Sequence, residues 1–324
     1  MSRFIKSSGV AFLLTLASEA WAGPERFAPE ALGQDGRITL TPTFSPDGTT
    51  VYFAQSECAP IWTCPQRLKR ATLGPHGWSR PEWVTLPDSV GSLKARVDFP
   101  SVSPDGTRLL FSWSALPQSL SGRDIYENFD LYSLDLTDPG AVPEPLRGPD
   151  LNRVREGRVA KLRFVNNETA PILTRSGDLY FWSERLDGVG ERDIYLAKRD
   201  GQGGWLAPEP LPAPINSAGR DDGSWIDPSG RLMLVTYGDR GGSGGADLFM
   251  SSRTDTGWTQ PVNLGPSVNS PDNDFAGMIS PDEKTLYFSS TRPVPGQDET
   301  MAQIWMMPVN EIPVLARALS RLSD

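Results

Sequence analysis

Four acidic residues hold matching places in a chain that offers little else for catalysis. Asp98 and Asp222 stand six positions before a turn proline, Pro104 and Pro228, while Glu168 and Asp274 stand seven before Arg175 and Pro281. Asp221 and Asp272 flank two of them. Carboxylates gathered on one rim could do three things. Solvated, they could accept hydrogen bonds from backbone amides where strands begin, a common role of Asp. They could hold a hard cation such as Ca²⁺, which takes oxygen ligands. Two of them, one protonated and one ionised, could cleave a glycosidic bond. The acids are present in number but without that asymmetry, so they are read as binding residues, with none assigned as catalytic and no cofactor required. Ca²⁺ at the acidic rim is the alternative left open.

His76 is the single histidine. It excludes a multi-His metal site and allows at most one Ser-His-Asp triad. Its setting, Gly74-Pro75-His76-Gly77, is a turn. A formal charge of −9 argues against a nucleic-acid groove or an anionic membrane surface, both of which need a basic face.

The elements that must position the acids recur along the chain. Short apolar strands run into Ser45-Pro46-Asp47-Gly48, Ser103-Pro104-Asp105-Gly106, Thr174-Arg175-Ser176-Gly177, Asp227-Pro228-Ser229-Gly230 and Ser280-Pro281-Asp282-Glu283. Proline presets φ and the following small or acidic residues close a tight turn. An aromatic, alternating strand answers each turn, as in Val51-Tyr52-Phe53 and Leu179-Tyr180-Phe181-Trp182. A third strand follows: Pro60-Ile61-Trp62-Thr63, Asp130-Leu131-Tyr132-Ser133, Asp193-Ile194-Tyr195-Leu196, Asp247-Leu248-Phe249-Met250 and Gln303-Ile304-Trp305-Met306. A fourth element closes four repeats, beginning at Gly77, Ala141, Gly204 and Gly257. The last repeat lacks it, and the segment from Glu25 to Gly33 supplies it from the other end of the chain, with Phe27 in the place of Trp78, Trp205 and Trp258. A first strand that completes the last sheet is how a ring of sheets removes its edges. The expectation is an all-β, five-bladed β-propeller of four-stranded antiparallel blades closed by the N-terminal strand. Trp113, Trp182 and Trp225 vary between repeats and are candidates for a stacking surface, although large aromatics mostly bury.

The Ser-Pro-Asp-Gly turn, the aromatic second strand and the stretch from Asp239 to Phe249 resemble the Pro-Asp-repeat (WD-like) propellers related to the TolB domain. Asn263-Leu264-Gly265 through Asn269-Ser270, then Asp272 to Phe288, is similar to members that accompany OmpA-type envelope proteins. The resemblance covers residues 25 to 308 and implies the fold more than a function.

Residues 1–22 read as a secretory signal, with Arg3 and Lys6, an apolar Val10 to Leu16 and an Ala20-Trp21-Ala22 cleavage site. The propeller is expected over 23–308 and an amphipathic helix over 309–324, with Ile312, Leu315, Leu319 and Leu322 on one face. In the periplasm or outside a bacterial cell, Cys58 and Cys64 would close a small disulfide loop. The functional expectation is an exported, monomeric, non-catalytic propeller that binds a protein, peptide or envelope glycan, and neither nucleic acid nor, after signal removal, an integral membrane segment. The alternative is a carbohydrate-active hydrolase or lyase using carboxylates at the channel mouth.

Overall fold

The computed structural model describes residues 23–32, 37–56, 65–86, 96–114, 118–120, 123–125, 129–153, 167–294, 296 and 301–323. The chain is mostly β, and its strands form successive antiparallel groups. The first joins Ile38–Phe44, Thr50–Ser56, Gln66–Gly74 and Glu82–Trp83. The second joins Arg96–Val102, Arg108–Ser114, Asp130–Asp135 and Glu144–Pro145. In the third, Glu168–Leu173, Leu179–Ser183, Asp193–Ala197 and Glu209–Pro210 pair in order. The fourth runs Asp221–Ile226, Leu232–Tyr237, Asp247–Thr254 and Val262–Asn263. In the fifth, Asp274–Ile279, Thr285–Ser290 and Gln303–Pro308 are followed by Glu25–Arg26, with Glu25 opposite Met306 and Arg26 opposite Trp305. A single parallel bridge, Gln66 to Arg96, links the first group to the second.

The outer strands are two residues long and follow or contain proline, which blunts their free edges. One backbone bond recurs just beyond each: the N–H of Val84, Leu146, Leu211, Leu264 and Phe27 donates to Leu68, Leu131, Ile194, Leu248 and Ile304 O at 2.8–3.0 Å. This corrects the expected N-terminal register. Phe27 corresponds to Leu264, not to Trp258. The third strand of the first group is also corrected, to Gln66–Gly74, whose alternating charged residues disguise a half-exposed strand. The expected strand at Pro60 to Thr63, the signal segment and the Cys58–Cys64 pair lie outside the described residues.

Every first strand carries a register shift: Leu40/Thr43, Asp98/Ser101, Thr169/Ile172, Gly223/Trp225 and Phe275/Met278. Such bulges bend a strand and re-aim its side chains. Four of them place a non-glycine residue in the left-handed region, Thr41, Phe99, Ala170 and Ala276, with φ between 50° and 57°. Pro42, Pro100 and Pro171 come next, tolerated because a bulged edge needs no N–H there. The first strands neighbour one another in turn, the first group's against the second's, and so on until the fifth group's lies against the first's.

At the other end of the sheets the turns are locked by their own side chains. Ser45 Oγ donates to Asp47 Oδ1 at 2.5 Å and Thr49 N–H to the same oxygen at 3.0 Å. Ser103-Asp105-Thr107 repeats this. Ile312, which ends a 3₁₀ turn at Val309–Glu311, and Leu315 and Leu319 of the helix Pro313–Ser323 are buried with Leu232, Leu248, Leu286 and Phe288 of the fourth and fifth groups. The expected amphipathic face is therefore core-facing.

Candidate functional site

The first strands enclose the candidate site. Thr41, Phe99, Ala170, Ser224 and Ala276, with residues just after them, line a cavity of about 30 Å³ that opens to solvent. Each group contributes through its bulge, which turns these positions inward. The lining holds hydroxyls from Thr41, Thr43, Ser101 and Ser224, apolar surface from Phe99, Ile172, Trp225 and Met278, and no charged side chain. Of the three variable tryptophans, only Trp225 reaches this space; Trp113 and Trp182 are buried.

None of Asp98, Glu168, Asp222 or Asp274 is among the lining residues. The four occupy two adjacent register positions, and successive residues of a strand point to opposite faces. Asp98 and Asp222 share one position; Glu168 and Asp274 share the other with Asp221.

The second set forms one repeated staple. Glu168 accepts from Arg185 Nε at 3.1 Å, Asp221 from Arg240 Nη2 at 3.2 Å and Asp274 from Arg292 Nη2 at 2.6 Å. Each arginine follows the second strand of its own group and also caps carbonyls of the segment leading into that group: Arg185 at Leu151, Arg240 at Pro214, Arg292 at Val268. Ser217 and Ser270 add backbone and hydroxyl donors to Asp221 and Asp274. Just before these serines, Asn216 and Asn269 bond both backbone groups of Ile194 and Leu248, as Asn152 does for Leu131. Burial pushes the Glu168 carboxyl well above its ordinary value, with Arg185 opposing the rise. Asp221 is raised by burial against its Ser217 and Arg240 contacts. The pattern was legible as Asn-Ser-x-x-x-Asp at 216–221 and 269–274, with an arginine about eighteen residues beyond the acid; the arginines were the missed half.

The first set faces the preceding group. Asp98 accepts from Thr41 Oγ1 at 2.9 Å and from Phe99 N–H at 2.7 Å, and burial raises its carboxyl. Asp222, about a third exposed, lies with both oxygens 2.8–2.9 Å from Arg192 Nη1. Arg192 also pairs with Glu184 and stacks 4.1 Å over the Trp182 ring. Asp272 donates its own N–H to Ser270 Oγ.

Among the described residues no three His, Cys, Asp or Glu side chains gather closely enough to hold a metal ion. His76 is exposed in a turn. Gly241 to Gly245 has Gly-x-Ser-x-Gly spacing, but a strand follows it instead of the helix a nucleophile elbow needs. It is a tied loop: Ser243 and Gly244 N–H donate to the Asp247 carboxylate at 2.6 and 3.2 Å. Val189 and Gly190 do the same with Asp193. No helix among the described residues is long and apolar enough to cross a membrane.

No family profile and no curated protein matches the chain. Among solved structures, one described as a glycoside hydrolase is 11% identical with a TM-score of 0.53, over 84% of this chain and 87% of the other. A family 117 glycoside hydrolase from Zobellia galactanivorans is 14% identical with a TM-score of 0.51, over 88% and 89%. TolB from Acinetobacter baumannii is 15% identical with a TM-score of 0.46, over 83% of this chain and 54% of that one, so the chain spans about half its length. At such identities the likeness is one of fold: this mostly β chain has neighbours of β-propeller fold.

Proposed function

We propose that the chain is an exported, non-catalytic, five-bladed β-propeller that binds a protein, peptide or envelope glycan at the mouth of its central channel. The five antiparallel groups are its blades, and Glu25–Arg26 closes the ring by completing the fifth. Export to the periplasm or beyond rests on the N-terminal charge-then-apolar pattern. One observation carries the binding reading: the space that all five first strands share is uncharged, while the neighbouring carboxylates are occupied by arginines, hydroxyls and backbone amides. Hydroxyls beside Phe99 and Trp225 suit recognition better than proton transfer.

Carbohydrate hydrolysis is the second reading. Asp98 is raised by burial, as a general acid would be, and Asp222 pairs with Arg192, so the two carboxylates stand in different surroundings. Against it stands the absence of both from the cavity lining.

The test is a panel of envelope glycans and peptides assayed for binding and for release of reducing ends. The binding reading expects saturable binding weakened by Trp225→Ala and no turnover. Turnover that falls by orders of magnitude in Asp98→Asn or Asp222→Asn, with the unfolding midpoint kept, overturns it.

A further inference from the structure

A second, smaller cavity of about 10 Å³ lies between the third and fourth groups. It shares Ala170, Ile172 and Trp225 with the cavity of the candidate site, so the two adjoin. Ile194, Gly223 and Met233 also line it, and its lining holds no charged side chain.

The smaller cavity has a cause in the sequence. Regular pairing of each first strand stops at one residue just before the register shift: Leu40, Asp98, Thr169, Gly223 and Phe275. Of these five, Gly223 alone brings no side chain. A Cβ placed there would stand 3.5–3.7 Å from three carbons of Ile194, an ordinary contact distance. Two residues further on, Trp225 walls both cavities, and both it and Gly223 are only half-buried.

A space of about 10 Å³ has room for one group the size of a water or a methyl. A water needs two to four polar partners, which Ile172, Ile194 and Met233 do not offer, and apolar cavities of this kind stay dry and take apolar groups. The adjoining cavity, at about 30 Å³, admits a side chain but not a sugar ring. A sugar hydroxyl placed beside Ile194 would also lose its water without gaining a partner.

We infer that the cavity at Gly223 is a selectivity pocket, and that the ligand is a peptide which lowers one branched aliphatic side chain between the first strands and seats a terminal methyl beside Ile194. The inference rests on the binding reading above and narrows its ligand to a peptide.

The probes are acetylated, amidated pentapeptides Gly-Gly-X-Gly-Gly with valine, threonine, isoleucine or glycine at X, and N-acetylglucosamine as the glycan probe, titrated against the full chain by ligand-observed NMR. Valine and threonine share a shape and differ by a methyl in place of a hydroxyl. The valine peptide should bind at least about tenfold tighter than the threonine and glycine peptides, the usual worth of such a group in an apolar pocket. Gly223→Ala fills the cavity at contact distance, and should cut that preference below about threefold with the unfolding midpoint kept. Ile194→Val enlarges the same space and should move the preference from valine to isoleucine; it decides the matter where Gly223→Ala does not fold. Equal binding of the valine and threonine peptides, or a preference that survives Gly223→Ala, overturns the pocket and leaves the channel mouth as a binding site. N-acetylglucosamine binding that Gly223→Ala weakens, with no peptide bound, overturns the peptide assignment. Failure of every probe to bind removes the binding reading and the pocket with it.

Discussion

The backbone N–H of Thr41 donates to Ser289 Oγ at 2.9 Å across 248 positions of sequence. Ala170 N–H meets Ser112 Oγ at the same distance between the second and third groups. The junction that unites the two ends of the chain therefore repeats an internal one. Ser289→Ala would leave the Thr41 N–H buried without an acceptor, a cost of about 1–3 kcal/mol. Ser112→Ala should cost a similar amount. Urea unfolding of both variants checks this, and a Ser289→Ala midpoint equal to wild type while Ser112→Ala falls would argue that the first and fifth groups do not meet.

The arginine staples make the sharpest stability prediction. Asp274 is fully buried against Arg292. Arg292→Ala strands that charge and should destabilise by about 3–5 kcal/mol. Adding Asp274→Asn should recover part of the loss, because the stranded charge is gone. Asp222→Asn, at a partly exposed pair, should cost under about 1 kcal/mol. A purely additive Asp274–Arg292 double-mutant cycle would contradict the staple.

The pH dependence follows from carboxyls shifted in opposite directions. Burial holds Glu168 above its ordinary value of 4.5. The native state then keeps a proton that the unfolded chain releases, so stability falls as pH rises from 4.5 towards the raised native value. Asp47, Asp105 and Asp282, lowered first by the hydroxyls of Ser45, Ser103 and Ser280, act oppositely. Their contribution is present above the ordinary value of 3.8 and is lost as pH falls through the lowered ones. Glu168→Gln should therefore match wild type near pH 4.5 and gain on it at higher pH, as read from urea midpoints. A difference that does not change with pH would refute the assignment to Glu168.

The C-terminal helix takes the packing place that hairpin tryptophans fill elsewhere. Trp205 packs with Leu110 and Leu131 of the preceding group and Trp258 with Tyr180. The fifth group has no such hairpin, since its outer strand comes from the N-terminus, and Leu315 and Leu319 cover the fourth group instead. Leu315→Ala should cost about 2–5 kcal/mol, against a near-neutral exposed Arg317→Ala. Calorimetry distinguishes the two.

What the sequence conveyed, and what it hid, follows from the strands themselves. Turn chemistry is local, so Pro46, Pro104, Pro228 and Pro281 mark their hairpins without ambiguity. The N-terminal strand that pairs with Gln303–Pro308 was recognisable, but Phe27 resembled the hairpin tryptophans in side chain while matching Leu264 in backbone register. Gln66–Gly74 was obscured because Arg67, Lys69 and Arg70 interrupt its apolar residues, while Ile61 and Trp62 offered a more apolar alternative. The acids stood out as charges. Their arginines did not, because each lies across a whole hairpin from its partner and only the folded register unites them.

Ring closure is tested most directly by trapping Glu25 against Met306, which face each other across the last sheet. With Cys58 and Cys64 changed to Ser, Glu25→Cys and Met306→Cys are introduced together and the purified protein is oxidised. Closure predicts a near-quantitative intrachain disulfide and a higher unfolding midpoint. Free thiols after oxidation, or disulfide-linked dimers in place of the intrachain bond, would contradict it.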